Sequence, residues 1–163
     1  MLSFPRAALL PLAVFLFLLP ALVGATEFTG KVIGVLDGDT IDVLHDGRTE
    51  RIRLHGIDCP EKGQAFGQRA KQFTFELVFG KEVKVWDRGR DKYGRTIGEV
   101  VLDDGRVLNR ALVAAGMAWA YRKYSTVYVT EEADARTARR GLWGDPDPVP
   151  PWEFRHRMKR AFR

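Results

Sequence analysis

Short alternating stretches of apolar and polar residues dominate the chain after its first two dozen residues. Phe28 to Leu36 is rich in Val, Ile and Phe and predicts a strand, with Gly30 and Gly34 marking a bend or bulge. Asp37-Gly38-Asp39 is a turn signal. Thr40 to His45 alternates as a second strand with Ile41 and Val43 on one face, and Asp46-Gly47 is a strong hairpin turn. Arg48 to Leu54 returns as a third strand, with Ile52 and Leu54 facing in and Arg51, Arg53 and His55 facing out. The period then changes. Phe66, Ala70, Phe73 and Leu77 recur at three and four residues, which predicts an amphipathic helix over Gln64 to Phe79 stopped by Gly80. Glu82 to Trp86 and Thr96 to Leu102 predict a fourth and a fifth strand, separated by a polar loop from Asp87 to Arg95. Val107 to Ala115 predicts a short helix ended by Gly116, and Val129 to Arg140 a third helix ended by Gly141, with Ala133, Ala135 and Ala138 available for close packing. Tyr121 to Tyr128, aromatic and basic, is expected to be irregular.

Five short strands with three helices at fixed points predict an α+β domain: a five-stranded Greek-key barrel of OB-fold type with about three helices packed on it. Its expected extent is residues 26–144. Beyond it, Asp145-Pro146-Asp147-Pro148 and Pro150-Pro151 are expected to exclude regular structure, so residues 145–163 read as a Pro-rich and then basic C-terminal tail. No repeat and no interdomain linker interrupts the pattern.

Residues 1–25 stand apart. One Arg precedes an uncharged apolar run, and Val23-Gly24-Ala25 offers small residues before Thr26. This is the layout of a secretory signal peptide with cleavage after Ala25. A membrane anchor is the weaker reading, because two prolines interrupt a run near the roughly 17-residue lower limit for spanning. Export to the periplasm or the medium is expected. Removal of the leader takes away one Arg and no acid, lowering the net charge from +5 to +4. That balance favours a polyanionic partner. Cys59 is the single cysteine, so no intrachain disulfide can form and the domain must hold by packing.

Three charged clusters fall at strand ends: Asp37 and Asp39; Arg53, Asp58 and Glu61; and Asp91-Lys92-Tyr93-Gly94-Arg95. Pro60 bends the chain so that Asp58 and Glu61 can share one rim. If one barrel rim gathers all three clusters, it holds oxygen ligands for a hard cation and two guanidinium groups that match phosphate oxygens.

In this order and spacing the clusters resemble the staphylococcal nuclease, or thermonuclease, family, and the resemblance covers about Phe28 to Trp143. It implies hydrolysis of phosphodiester bonds in DNA or RNA, leaving 3′-phosphate ends, by a monomer with one Ca2+ ion and no stable protein partner. Asp39 and Asp58 are implied to bind calcium through carboxylates and Cys59 through its backbone carbonyl, with Asp37 around metal-bound water. Glu61 is implied to orient or deprotonate the attacking water, and Arg53 and Arg95 to stabilise the phosphoryl transition state. Lys92, Tyr93, Tyr121 and Tyr124 are implied to meet substrate, one of the last two lining the cleft. The family's founding sequence has Thr where Cys59 stands. A ligand that acts through its carbonyl leaves the Cys59 side chain nearly free to vary.

Other conspicuous residues have plainer readings. His45 and His55 read as solvent-facing or structural, and Trp119, Trp143 and Trp152 as packing residues. The basic C-terminus reads equally as a contact for nucleic-acid backbone or as a solubilising tail. The competing function is a non-catalytic nucleic-acid- or peptide-binding domain on the same barrel. Such a module has no need of the full set Asp39, Arg53, Asp58, Glu61 and Arg95.

Overall fold

The computed structural model describes residues 26–161; the expected signal peptide at residues 1–25 lies outside them. Five strands close a barrel in the order β1-β2-β3-β6-β5. They are β1 (Glu27–Asp37), β2 (Thr40–His45), β3 (Arg48–Leu54), β5 (Glu82–Arg90) and β6 (Thr96–Val101). The β3–β6 pairing is parallel and closes the barrel, while the other pairings are antiparallel. Val32, Ile41, Val43, Ile52, Val85 and Val100 fill the core without solvent exposure. Their alternation with exposed neighbours is the period-2 pattern of the sequence. β1 shifts register between Val32 and Gly34, the irregularity its glycines foretold. Asp46 and Gly47 both take positive φ, as a two-residue hairpin turn requires.

Helices α1 (Gly67–Val78), α2 (Leu108–Ala114) and α3 (Val129–Thr137) pack on the barrel, each starting or ending inside its expected range. α1 starts later than the periodicity suggests because Phe66 takes a left-handed conformation ahead of it. Gly67 is required there: a Cβ would lie 1.9 Å from the Glu61 carbonyl oxygen. The buried Thr74 hydroxyl on α1 donates to the Gly38 carbonyl at 2.6 Å, pinning the turn between Asp37 and Asp39. α2 is tied to the barrel by buried Asn109, which accepts from the Val100 amide and donates to the carbonyls of His55 and Gly98.

Three features depart from expectation. β5 runs on to Arg90, so the polar loop is confined to residues 91–95. A two-stranded sheet pairs β4 (Ile57–Asp58) with β7 (Trp119–Ala120). Pairs this short carry no periodicity to read. The proline-rich tail is also ordered. A 3-10 turn at Gly141–Gly144 leads to α4, spanning Pro151–Ala161. The expectation that prolines exclude regular structure fails because Pro151 stands in the first turn, where its missing N–H has no intrahelical partner to lose. Glu153 in the first turn and Lys159 and Arg160 in the last complement the helix dipole. Among the described residues no helix is long and apolar enough to cross a membrane.

Candidate active site

The end of β3 and the turns beside it assemble the acidic cluster. Thr40 pairs with Arg53 across β2 and β3, and the Leu54 amide donates to the Asp39 carbonyl at 2.8 Å. Asp39 and Arg53 therefore stand side by side. Asp58 is fixed by the β4–β7 pairing opposite Trp119, and the Tyr121 amide donates to the Gly56 carbonyl one step further on. The Cys59 amide donates to Asp39 Oδ2 at 2.8 Å, and the Asp39 amide to Asp37 Oδ1 at 3.1 Å.

Arg53 joins the two aspartates: Nη1 pairs with Asp39 Oδ2, and Nη2 donates to Asp58 Oδ1 at 2.9 Å. Asp39 and Asp58 are 5% and 1% exposed, so the pairing compensates charges that water does not reach. A second guanidinium, Arg155 on α4, donates through Nη2 to Asp58 Oδ2 at 2.8 Å and through Nη1 to Asp58 Oδ1 at 3.2 Å and Glu61 Oε1 at 2.6 Å. The result is an unbroken chain of opposite charges: Asp39, Arg53, Asp58, Arg155, Glu61. Hydrogen bonding to Asp58 pushes the Arg155 guanidinium above its ordinary value, against the opposing effect of burial.

Arg155 lies in the segment expected to be a tail, 97 residues from Asp58 in the chain. The signal that could have found it is a helix start at Pro151 with Glu153 behind it, which sets Trp152, Arg155, His156 and Lys159 at the i, i+3, i+4, i+7 spacing of one face. All four line one cavity of about 980 Å³, together with Lys92, Tyr121 and Lys123. Of the two candidate tyrosines, Tyr121 lines this cavity, while Tyr124 packs edge-on against Tyr121 with its own ring largely exposed. Trp152 stacks on Tyr121 at 5.3 Å and meets Trp119 edge-on at 5.6 Å.

Arg95 is not part of the charge chain. It sits just before Thr96, which pairs with Ile52 next to Arg53, and its Nε donates to Asp91 Oδ2 at 2.8 Å. Partial desolvation disfavours the Asp91 anion, but hydrogen bonds from Arg95 and Tyr93 outweigh it and hold the carboxyl below its ordinary value. Tyr93 is exposed, with Lys92 and Arg95 over its ring. His55 is half-buried, and burial lowers its pKa.

The Cys59 side chain is not free to vary. It is 4% exposed and packs under Gly38, where an added Cβ would meet its Sγ and Cβ at 2.8 Å. Burial pushes the thiol pKa well above its ordinary value.

In kind, the donors suit a hard cation: the buried carboxylate oxygens of Asp39 and Asp58, set against the guanidinium groups of Arg53 and Arg155. Among the described residues no three acidic, His or Cys side chains enclose a single point. Guanidinium groups stand between the carboxylates instead.

A closed five-stranded barrel that gathers buried carboxylates and arginines at the end of β3 defines an OB-fold domain with a charged cluster at its rim. A sequence profile described as staphylococcal nuclease homologue matches residues 51–145. The chain is 45% identical over 150 residues to an Escherichia coli O157:H7 protein called an uncharacterized endonuclease, covering 91% of this chain and 97% of that one. It is 42% identical over 167 residues to a Shigella flexneri protein called micrococcal nuclease, covering 95% and 96%. A Haemophilus influenzae protein called an uncharacterized endonuclease is 36% identical over 157 residues, covering 94% and 88%. The chain belongs to the staphylococcal nuclease family.

Proposed function

We propose that this protein is an exported, calcium-dependent nuclease that hydrolyses phosphodiester bonds of DNA or RNA. The observation that carries the reading is the charge chain from Asp39 to Glu61 beside a basic, aromatic cavity. Its relatives are named as nucleases and endonucleases, and the family is generally metal-dependent.

Asp39, Asp58 and the Cys59 carbonyl would hold the cation, with Asp37 ordering the turn behind Asp39. A hard divalent cation held there would supply positive charge beside the phosphoryl oxygen and would lower the pKa of a nearby water. Glu61, the most exposed carboxylate of the charge chain, takes the proton from that water. Arg53 donates to the phosphate where charge develops. Arg95 approaches from the adjacent start of β6 once its hydrogen bond to Asp91 is exchanged for one to phosphate. Lys92 and Tyr121 line the path of the strand. The expected product is a 3′-phosphate end. Export rests on the leader at residues 1–25, and N-terminal sequencing of the exported protein checks it: a chain beginning at Thr26 is expected, and an intact Met1 rejects cleavage.

The decisive assay is digestion of single-stranded DNA and RNA with calcium, with magnesium and with a calcium chelator. Cleavage with calcium and none with the chelator is expected. Activity that survives chelation defeats the metal role, and tight binding without cleavage establishes the non-catalytic alternative. Arg53→Ala and Arg95→Ala should each lower the rate about 10²–10³-fold, as loss of one preorganised donor does elsewhere. Near-normal turnover in Arg95→Ala removes it from the assignment.

A further inference from the structure

The C-terminal segment is fastened to Glu61 at two separate places. Gln64 accepts the Glu61 amide on Oε1 at 3.1 Å and donates from Nε2 to the Val149 carbonyl at 2.5 Å. Six residues further along, Arg155 Nη1 reaches the Glu61 carboxylate itself. Between these contacts the chain is held by apolar packing: Pro151 is buried, and Trp152 is wedged against Trp119 and Tyr121. The Pro150 carbonyl accepts from the amides of Glu153 and Phe154 and starts the helix immediately before Arg155. Trp152 and Arg155 share a helix face, so the ring that anchors α4 also aims the guanidinium.

Without Arg155, the Glu61 carboxylate has no hydrogen-bond partner among the described residues, and its side chain is 40% exposed. Glutamate is a flexible side chain with three torsions to immobilise, and a water-activating carboxylate works only when held in place. Asp58 has the converse problem. It is 1% exposed, and Arg53 binds only its Oδ1, so Oδ2 depends on Arg155.

We propose that Arg155 is a positioning residue for hydrolysis, and that the segment from Val149 to Arg155 is the clamp that sets Glu61 and Asp58 in working geometry. The inference rests on the nuclease reading above. Arg155 Nη1 bridges the two carboxylates and fixes the rotamer of Glu61 through Oε1, leaving Oε2 without a hydrogen-bond partner among the described residues. Val149, through Gln64, fixes the backbone beneath it.

The test uses the full-length exported protein and a short single-stranded oligonucleotide, with kcat and KM measured separately. Arg155→Ala should lower kcat about 10–100-fold, the usual cost of losing a residue that orients a functional group, with KM little changed. Guanidinium ion added well below denaturing concentration should restore part of the lost rate in Arg155→Ala and leave wild type unaffected. Arg155→Lys should recover only part, because an ammonium cannot span both carboxylates as a planar fork does. In a Glu61→Gln background the Arg155→Ala change should add little, since both remove one function. If Arg155→Ala fails to fold, Arg155→Lys decides by the same measurements. An unchanged kcat, or fully additive losses without guanidinium rescue, overturns the proposal. So does a raised kcat with tighter calcium binding by titration calorimetry, which would make α4 a plug on the cation site. A wild-type protein that cleaves no nucleic acid fails the nuclease reading instead, before any variant is compared.

Discussion

Cys59 separates what a residue does through its backbone from what it does through its side chain. Its amide holds Asp39, its carbonyl is the proposed cation ligand, and its thiol is buried under Gly38. Cys59→Ser leaves both backbone groups in place and buries a hydroxyl at the same point. The cost is expected at about 1–3 kcal/mol of stability, seen as an earlier urea midpoint, with turnover retained at temperatures where the variant is folded. Abolished turnover in a folded Cys59→Ser protein would give the thiol a role in the chemistry. Tyr128 shows the reverse case. Its ring is 1% exposed, and its hydroxyl has no hydrogen-bond partner among the described residues. Burial raises its pKa, with Glu99 adding to the effect, so the phenol stays neutral. An unsatisfied buried hydroxyl costs about 1–3 kcal/mol. Tyr128→Phe is therefore expected to be neutral or stabilising in urea melts; a large loss of stability would mean that the hydroxyl has a partner.

Among the elements, the turn from Glu61 to Gly67 bears the most consequence for the site. The Gln64 amide donates to the Glu61 carbonyl, and the Gly67 amide donates to the Gln64 carbonyl, folding the segment back on itself. A side chain at Gly67 collides with the Glu61 backbone, which cannot yield as a flexible side-chain tip could. Gly67→Ala should therefore displace Glu61, lowering both kcat and the melting temperature; full activity in that variant would show the turn to be more compliant than its geometry indicates. The barrel strands were legible because burial on one face writes a period of two into the chain, and Asp46-Gly47 and Gly80 punctuate it where φ must be positive. Asp39, Arg53, Asp58 and Glu61 were legible as a group because they fall at the ends of those strands. β4 and β7 were not, since two residues make no period. α4 was hidden by its own start: the prolines that break a helix interior are the ones that open a helix here. Arg155 followed α4 out of sight, because a contact spanning most of the chain leaves no mark on local pattern.

At the scale of the whole molecule, the charge distribution sets how a strand is captured. The chain carries a net charge of +5, but charges already paired contribute little to a partner. In the cavity wall, Arg122 and Arg136 are both committed to buried Glu132. Lys92, Lys123 and Lys159 line the same cavity and have no ion-pair partner among the described residues. They approach it from three elements, the 91–95 loop, the segment after β7, and α4, so they can follow a backbone rather than grip one phosphate. A single strand loses condensed counterions wherever a cation meets a phosphate, and the logarithm of affinity falls with the logarithm of salt by roughly 0.7 per contact. Binding of a labelled single-stranded oligonucleotide, followed by anisotropy in a chelator and in a Glu61→Gln background, should weaken steeply with salt. Replacing Lys92, Lys123 and Lys159 together by Ala should lower that slope by about 2, because three contacts are removed. The melting temperature should hardly move, since none of the three is buried. An unchanged slope in the triple variant would place the strand on another face, and would leave Tyr121 and Trp152 as packing residues alone.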